Sequence, residues 1–429
     1  MLLTRDQADR ISPDGLIHDA ERLKELQSLP LERKIQITTA RIIEWYNYWD
    51  GNVCVSFSGG KDSTVLLHLV RSLFPDVPAV FSNTGLEYLE IQKFVKTFDN
   101  VAEIRPEMRF DEVISTYGYP LIGKEVAEAI HYARRIIPSD GGGTTEKRRR
   151  KELLGQRMYC QAPRIPRTAN VCSQMGGGTD WHNWRRACLV NATEKFGEKS
   201  RFNKEKWLPI ARDLPVLISH KCCQIMKKSP LHKYQRQYKQ KPYLATMAVE
   251  SRMRKQAWIK TGCNAFAGGK EKSTPMAFWT EQDVLAYIKL FDLDIASVYG
   301  EIQLIDKKGN VIPSETLDGN CDMPQGCKWH CSGCQRTGCV YCGFGAHNEK
   351  VSRFEMLAQT HPRQYEYCIS GGQWADNPSY DPTASMEPDE MGWINWNPEK
   401  IWVPSKEGLG MGKVFDMANE IMGKKLWRY

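Results

Sequence analysis

At 429 residues, 41% hydrophobic and 26% charged, the chain is long enough for two or three units with a full core and has the composition of a soluble globular protein. No apolar run is long enough to span a bilayer and the opening MLLTRDQADR carries no signal sequence, so the expectation is a cytoplasmic protein with no membrane partner. The net charge of +8 is uneven: residues 131–212 hold 18 Lys and Arg against 7 Asp and Glu, a net of +11, which leaves −3 for the remainder.

Residues 1–50 read as a helical segment, with apolar and charged positions at helical spacing through DAERLKELQSLPLERKIQITTARIIEWYNYW. From 51 to 130 the pattern becomes strand, helix, strand, helix, strand: VCVSF, TVLLHLVRSLF, VPAVFS, EYLEIQKFVKTF and NVAEIR. Strands alternating with helices of this length imply an α/β protein with a doubly wound, mostly parallel sheet and right-handed crossovers. Ligands in such sheets lie beyond the carboxyl ends of the strands, where SGGKDS (58–63) and SNTGLE (82–87) both fall.

A basic insertion follows over 131–213, punctuated by two Gly-Gly-Gly runs and carrying EKRRRK (146–151) and WHNWRR (181–186). It reads equally as a surface for nucleic acid or another polyanion and as an ordinary solvated insertion. Regular patterning resumes over 214–300, where Thr280-x-x-Asp283 opens an amphipathic helix as a capping box. A Cys-rich part, 301–350, begins with a hairpin turning at Lys308-Gly309-Asn310, and 351–429 joins the helix KVSRFEMLAQTHP to Pro- and Trp-rich loops.

The most informative stretch is VCVSFSGGKDSTVLLHLV (53–70), a buried strand, a turn and a helix whose apolar face is Leu66, Leu69, Val70 and Leu73. Backbone N–H groups at such a turn and the positive end of the helix form an anion site. Gly59 and Gly60 let the backbone approach phosphates, Lys61 adds a point charge, Ser58 and Ser63 add hydroxyls, and Asp62 is placed to hold Mg²⁺ or orient the lysine. The G-x-x-x-x-G-K-[ST] spacing of a Walker loop is absent.

SFSGGKDSTVLLHL resembles the phosphate loop of the PP-loop ATP pyrophosphatases, and FSNTGLEYLE resembles the second signature of their phosphoadenylyl-sulfate (PAPS) reductase branch. GYPLIGKEVAEAI (118–130), KCCQIMKKSP (221–230), VESRMRKQAWIKTGC (249–263), FWTEQDVLAYI (278–288) and RTGCVYCGFG (336–345) continue the likeness in order. The resemblance implies an adenine nucleotide α-hydrolase-like fold split over 51–130 and 214–300. It also implies nucleotide contacts by Asn83, Thr84, Gly85, Glu87, Lys124, Glu250, Arg252 and Arg254. Reductases of the branch tend to have a degraded phosphate loop and a catalytic cysteine in a C-terminal tail. Here Lys61 and Asp62 are intact and no cysteine follows Cys368, which favours cleavage of ATP at its α-phosphate.

Fourteen cysteines in a cytoplasmic protein suggest metal or redox chemistry rather than disulfides. By resemblance, Cys222, Cys223, Cys339 and Cys342 correspond to the thiolates of a [4Fe–4S] cluster, with Cys263 a substitute ligand. Cys321, Cys327, Cys331 and Cys334, with His330 adjacent, have the density of a zinc knuckle, or else belong to one shared cluster region. Cys160, Cys172 and Cys188 read as buried apolar residues.

Three functions are compatible with these features. The first is an ATP- and Mg²⁺-dependent enzyme that adenylates a nucleic-acid acceptor held by the basic insertion. Sulfur, supplied with an iron–sulfur cluster and a donor protein, then replaces the activated oxygen. The second is a sulfonucleotide reductase of sulfate assimilation, and the third a non-catalytic module that binds nucleotide and polyanion. Lys61 and Asp62 are the candidate catalytic residues of the first.

Overall fold

Short apolar runs at Val53–Ser56 (β1), Ala79–Ser82 (β2) and Val101–Ile104 (β3) yield three adjacent parallel strands. The computed structural model describes residues 18–134, 181–267, 269, 271–313, 326–390 and 392–429. The chain divides into two compact units, Met1–Arg109 with Gln224–Val340, and Phe110–Cys223 with Tyr341–Tyr429.

In the first unit, helices Ala20–Ser28 (α1) and Leu31–Tyr48 (α2) precede β1, and Lys61–Arg71 (α3) and Leu89–Val95 (α4) link β1 to β2 and β2 to β3. The chain then returns on the other side of β1 as Lys241–Leu244 (β4), followed by helix Arg252–Thr261 (α5) and the short strands Asn264–Ala265 (β5) and Lys272–Ser273 (β6). The six-stranded order is β3-β2-β1-β4-β6-β5, parallel except for the β5/β6 pair. The chain departs from β1 in opposite directions along the sheet, so the crevice at its carboxyl end is the topological switch point, where doubly wound sheets bind ligands.

The core lies against this sheet. Val53, Val55 and Phe57 meet Val65, Leu66 and Leu69 of α3, and Trp45 and Trp279 close the cluster. Helix Glu281–Leu290 (α6) starts in the capping box expected from sequence: the Thr280 hydroxyl accepts Asp283 N–H and Asp283 accepts Thr280 N–H. Lys34 of α2, itself buried, donates to both Asp283 oxygens at 2.8 and 2.7 Å, so the burial of each charge is offset by its partner. A smaller antiparallel sheet pairs Ile302–Ile305 (β7) with Val311–Ile312 (β8) and with Lys328–Cys331 (β9). The β7–β8 turn falls at the expected Lys308-Gly309-Asn310, where Asp306 accepts the amides of Lys308 and Asn310.

The second unit is mainly helical. Its helices include Phe110–Tyr117, Lys124–Ala133, Trp181–Ala187, Leu208–Asp213, Arg353–Thr360, Pro362–Ile369 and Met411–Met422. Leu121–Ile122 pairs with Gly343–Phe344, and Gln373–Asp376 with Lys400–Val403. No helix among the described residues is long and apolar enough to cross a membrane.

The described parts of the basic insertion, 131–134 and 181–213, belong to this unit. Arg185 of WHNWRR pairs with Glu128 at 2.7 Å, and Arg186 lies 4.3 Å above the Trp393 ring. Both arginines are thus engaged in the packing of the unit. EKRRRK, Cys160, Cys172 and Cys321 lie outside the described residues, and Cys188 is buried as expected.

Candidate active site

The turn after β1 is shaped by its two glycines. Gly59 has φ +69°, and a Cβ there would stand 2.7 Å from Val95 and 2.8 Å from Ile91 of α4. Gly60 caps α3 without a side chain, and its carbonyl accepts the Ser63 hydroxyl at 2.8 Å, the Thr64 hydroxyl at 3.1 Å and the Thr64 amide at 3.0 Å. The Ser58 and Ser63 hydroxyls are paired at 3.0 Å. Serine and threonine side chains therefore brace the turn, while the first-turn amides of α3 have no acceptor within the helix. Gly59→Ala is expected to lower stability by about 1–3 kcal/mol through left-handed strain and overpacking. Gly60→Ala, whose Cβ comes no nearer than 3.2 Å to a neighbour, should shift the urea midpoint less.

Lys61 is 4% exposed, yet its ammonium is fully engaged. Nζ donates to the Gln335 carbonyl at 2.9 Å and lies 3.1 Å from Glu281 and 3.8 Å from Asp62. Burial lowers its pKa, but the negative charges of Asp62 and Glu281 and the nearby Tyr299 outweigh that, and the net shift is upward. Lys61 N–H donates to the Tyr299 hydroxyl at 3.2 Å, which pairs with the Thr337 hydroxyl at 2.6 Å.

Asp62 Oδ1 is buried without a hydrogen-bond partner. Burial raises its carboxyl pKa; Lys61 opposes the rise, Glu281 adds to it, and Arg336 and Arg254 counter it. An orphaned carboxylate oxygen beside a lysine and a helix N-terminus suits a divalent cation carried in with phosphate groups.

Glu250 organises the arginines. Its carboxylate accepts the Met247 amide at 2.8 Å, pairs with Arg254 one helical turn on, and pairs with Arg336 at 2.8 Å. Both arginines act electrostatically on Asp62, while Arg252 is exposed at the start of α5. The 83–87 loop is closed on itself: Glu87 accepts the Thr84 amide at 3.0 Å and its hydroxyl at 2.8 Å, Asn83 accepts Gly85 N–H at 3.1 Å, and Lys227 lies 3.4 Å from Glu87. These side chains set the shape of the strand-end loop.

Tyr299, Gln335, Arg336, Thr337 and Glu281 also belong to this site, and none was singled out from sequence. Arg336 and Thr337 stand in the quoted RTGCVYCGFG, where attention falls on the cysteines; Tyr299 sits in a single-turn helix, Ser297–Tyr299, that carries no pattern.

The cysteines separate. Cys331 and Cys334 are in the first unit, with Cys331 within electrostatic reach of Lys61, Asp62 and Cys334. Cys222, Cys223 and Cys342 are in the second, where burial raises the Cys342 thiol pKa, the Phe344 amide donates to its sulfur, and Cys223, Arg353 and Lys124 act on it. Cys339 belongs to the first unit, and Cys263 to its hydrophobic core. Lys124 opens a helix of the second unit. Among the described residues no three His, Cys, Asp or Glu side chains converge as a metal site.

Part of the chain is similar to known proteins. Residues 52–122 match the family profile of the phosphoadenosine phosphosulfate reductase domain. An adenosine 5'-phosphosulfate reductase of Bacillus cereus is 27% identical over 113 residues, which are 25% of this chain and 48% of that protein. One of Bacillus mycoides is 26% identical over 113 residues with the same shares. The chain thus spans about half the length of the curated relatives it matches. A crystal structure of phosphoadenylyl-sulfate (PAPS) reductase from Candida auris, a phosphate complex, aligns with a TM-score of 0.27 at 9% identity over 66% of this chain and 91% of that chain.

Proposed function

We propose that this chain, a PAPS reductase-like member of the PP-loop ATP pyrophosphatase superfamily, cleaves ATP to AMP and pyrophosphate while adenylating a nucleic-acid acceptor into which sulfur is then introduced. One observation carries the ATP part. A buried lysine and a carboxylate oxygen without a hydrogen bond stand together at the first turn of α3, with Arg254 and Arg336 acting on the same carboxylate. That arrangement serves a polyphosphate better than a single sulfonate-bearing phosphate, because it offers a cation, helix amides and a metal-binding oxygen at one point.

In this reading an acceptor oxygen attacks the α-phosphate and pyrophosphate leaves. The Lys61 ammonium and the α3 amides stabilise the charge gathering on the leaving group. Asp62 is the residue that would hold magnesium, which would offset phosphate charge when ATP is bound. Arg254 and Arg336, kept in place by Glu250, meet the remaining phosphate charge with forked donors. An iron–sulfur cluster, when bound, would supply or position sulfur; the amide-to-sulfur bond at Cys342 and the nearby Cys223 suit thiolate ligation. The nucleic-acid acceptor rests on the +11 charge of residues 131–212.

The bacterial relatives, adenosine 5'-phosphosulfate reductases, favour a second reading, reduction of a sulfonucleotide. The two separate in one assay of the anaerobically purified chain. Pyrophosphate released from ATP, dependent on Mg²⁺ and on added RNA or DNA, with AMP first joined to the acceptor and freed in equal amount when a sulfide donor is added, is expected. Sulfite released from adenosine 5'-phosphosulfate with a dithiol protein reductant, without ATP, would establish the reductase instead. Neither product, with nucleotide binding intact, would leave a binding module.

A further inference from the structure

The turn after β9 carries two cysteines for which the proposed ATP chemistry has no use. Cys331 ends the strand and is buried, and Cys334 is half-buried. The turn is fastened on two sides. On one, the amides of Ser332, Gly333 and Cys334 donate to the carbonyls of Glu301, Tyr299 and Val298 at 2.8, 2.8 and 2.9 Å. Gly333 is needed for this approach, since a Cβ there would lie 2.5 Å from the Val298 carbonyl oxygen.

On the other side the turn is tied to the phosphate loop itself. The Gln335 side-chain amide donates to the carbonyls of Cys331 at 2.5 Å and Gly333 at 3.2 Å, while the Gln335 carbonyl accepts Lys61 Nζ at 2.9 Å. The Tyr299 hydroxyl, whose backbone carbonyl holds Gly333, accepts the Lys61 amide. Two of the donors a phosphate would use, Lys61 Nζ and the Lys61 amide, are thus held by Gln335 of the segment that bears the cysteines and by Tyr299, on which the turn is fastened.

We infer that Cys331 and Cys334 form a dithiol site beside the phosphate loop, and that nucleotide occupancy of the loop opens it. The gating rests on the reading that Lys61 binds phosphate. Phosphate oxygens are charged acceptors and outcompete a neutral carbonyl and a hydroxyl for the Lys61 donors. Once they do, Gln335 and Tyr299 lose their hold on the loop, and the turn keeps its amide bonds to 298–301 and the Cys334 hydrogen bond to Tyr88. Linkage makes the effect reciprocal, so a turn closed by a disulfide binds nucleotide with altered affinity.

The reaction is thiol–disulfide exchange with a low-molecular-weight disulfide. The Cys334 thiolate attacks one sulfur and expels a thiolate, leaving a mixed disulfide. Cys331 then attacks the Cys334 sulfur and expels the second thiolate. The protein dithiol is oxidised by two electrons, the small disulfide is reduced to two thiols, and the two protein thiol protons end on the two leaving groups.

The test is alkylation of the reduced full-length chain by iodoacetamide, read peptide by peptide by mass spectrometry, with and without Mg²⁺ and adenosine 5'-(α,β-methylene)triphosphate. Calorimetry under the same conditions measures nucleotide binding independently. Alkylation of Cys334 is expected to quicken about ten-fold with nucleotide, against unchanged Cys54 and Cys368, as local opening of a restrained turn does. Tyr299→Phe should quicken it in the absence of nucleotide, and glutathione disulfide should link Cys331 to Cys334. Calorimetric binding with an unchanged Cys334 rate overturns the gating alone. Zinc retained at one per chain, blocking alkylation until chelation, overturns the dithiol and makes the turn a metal site. No heat of binding removes the phosphate reading of the loop and the gating with it, and the glutathione peptide map alone then decides the dithiol.

Discussion

Lys61→Met is expected to weaken ATP binding about 100-fold and to abolish pyrophosphate release. Charge-assisted hydrogen bonds contribute about 1.5–3 kcal/mol each, and 2.7 kcal/mol corresponds to about a factor of 100. Calorimetry and a pyrophosphate assay read the two effects separately; a variant that binds Mg²⁺–ATP as tightly as the parent would remove Lys61 from the site. The substitution also acts on stability. Burial already raises the Asp62 carboxyl, and Lys61 is the largest influence opposing that rise. A carboxyl raised in the folded state supports folding fully below its unfolded value, and that support is lost as pH rises through the folded value. Removing Lys61 moves the folded value higher still. The loss with rising pH should therefore extend to higher pH in Lys61→Met than in the parent, and be absent from Lys61→Met/Asp62→Asn, as followed by urea midpoints across the acid range.

Arg134→Met is expected to cost the fold about 3–5 kcal/mol. Arg134 is buried and donates to four carbonyls: Nε to Ala211 at 2.7 Å, Nη1 to Val216 at 2.6 Å, and Nη2 to Ile210 and Leu214 at 2.9 Å each. Its guanidinium lies 4.2 Å from the Trp396 ring, whose indole N–H shares the Leu214 carbonyl. These carbonyls lie at and beyond the end of helix Leu208–Asp213, where the cap amide of Leu214 reaches only that of Ile210. Burial pushes the guanidinium pKa well down and Asp213 opposes the shift, but the forked contacts to the helix end offset the burial. Methionine fills the space but takes the guanidinium donor from the Ala211 and Val216 carbonyls, while Leu214 keeps the Trp396 indole and Ile210 keeps the Leu214 amide. Arg134→Lys should recover only part of the loss, because an ammonium cannot fork to four oxygens. Urea denaturation followed by tryptophan fluorescence gives the magnitude, and amide exchange over 208–216 shows where it acts; an unchanged midpoint in Arg134→Met would remove the structural role. In sequence Arg134 is one of 18 cations in a basic stretch, and nothing local distinguishes it from a polyanion-binding residue.

That contrast recurs through the molecule. The strands β1 to β3, the helices between them, the turn at Ser58–Ser63, the Thr280 capping box and the β7–β8 turn were legible in the sequence. Each depends on periodicity, a glycine or a cap within a few residues, so local conformational preference alone marks it. The partners of the loop were not. Tyr299 lies 238 residues from Lys61 and Gln335 lies 274 residues away. Gln335 acts through a backbone carbonyl, a group every residue carries, so no residue type announces it. The two C-x-x-C pairs make the same point. Cys331/Cys334 and Cys339/Cys342 have identical spacing within twelve residues. Only packing sets Cys331 beside Lys61 and Cys342 beside Cys223, because a thiol's chemistry is decided by the charges and donors that long-range contacts bring to it.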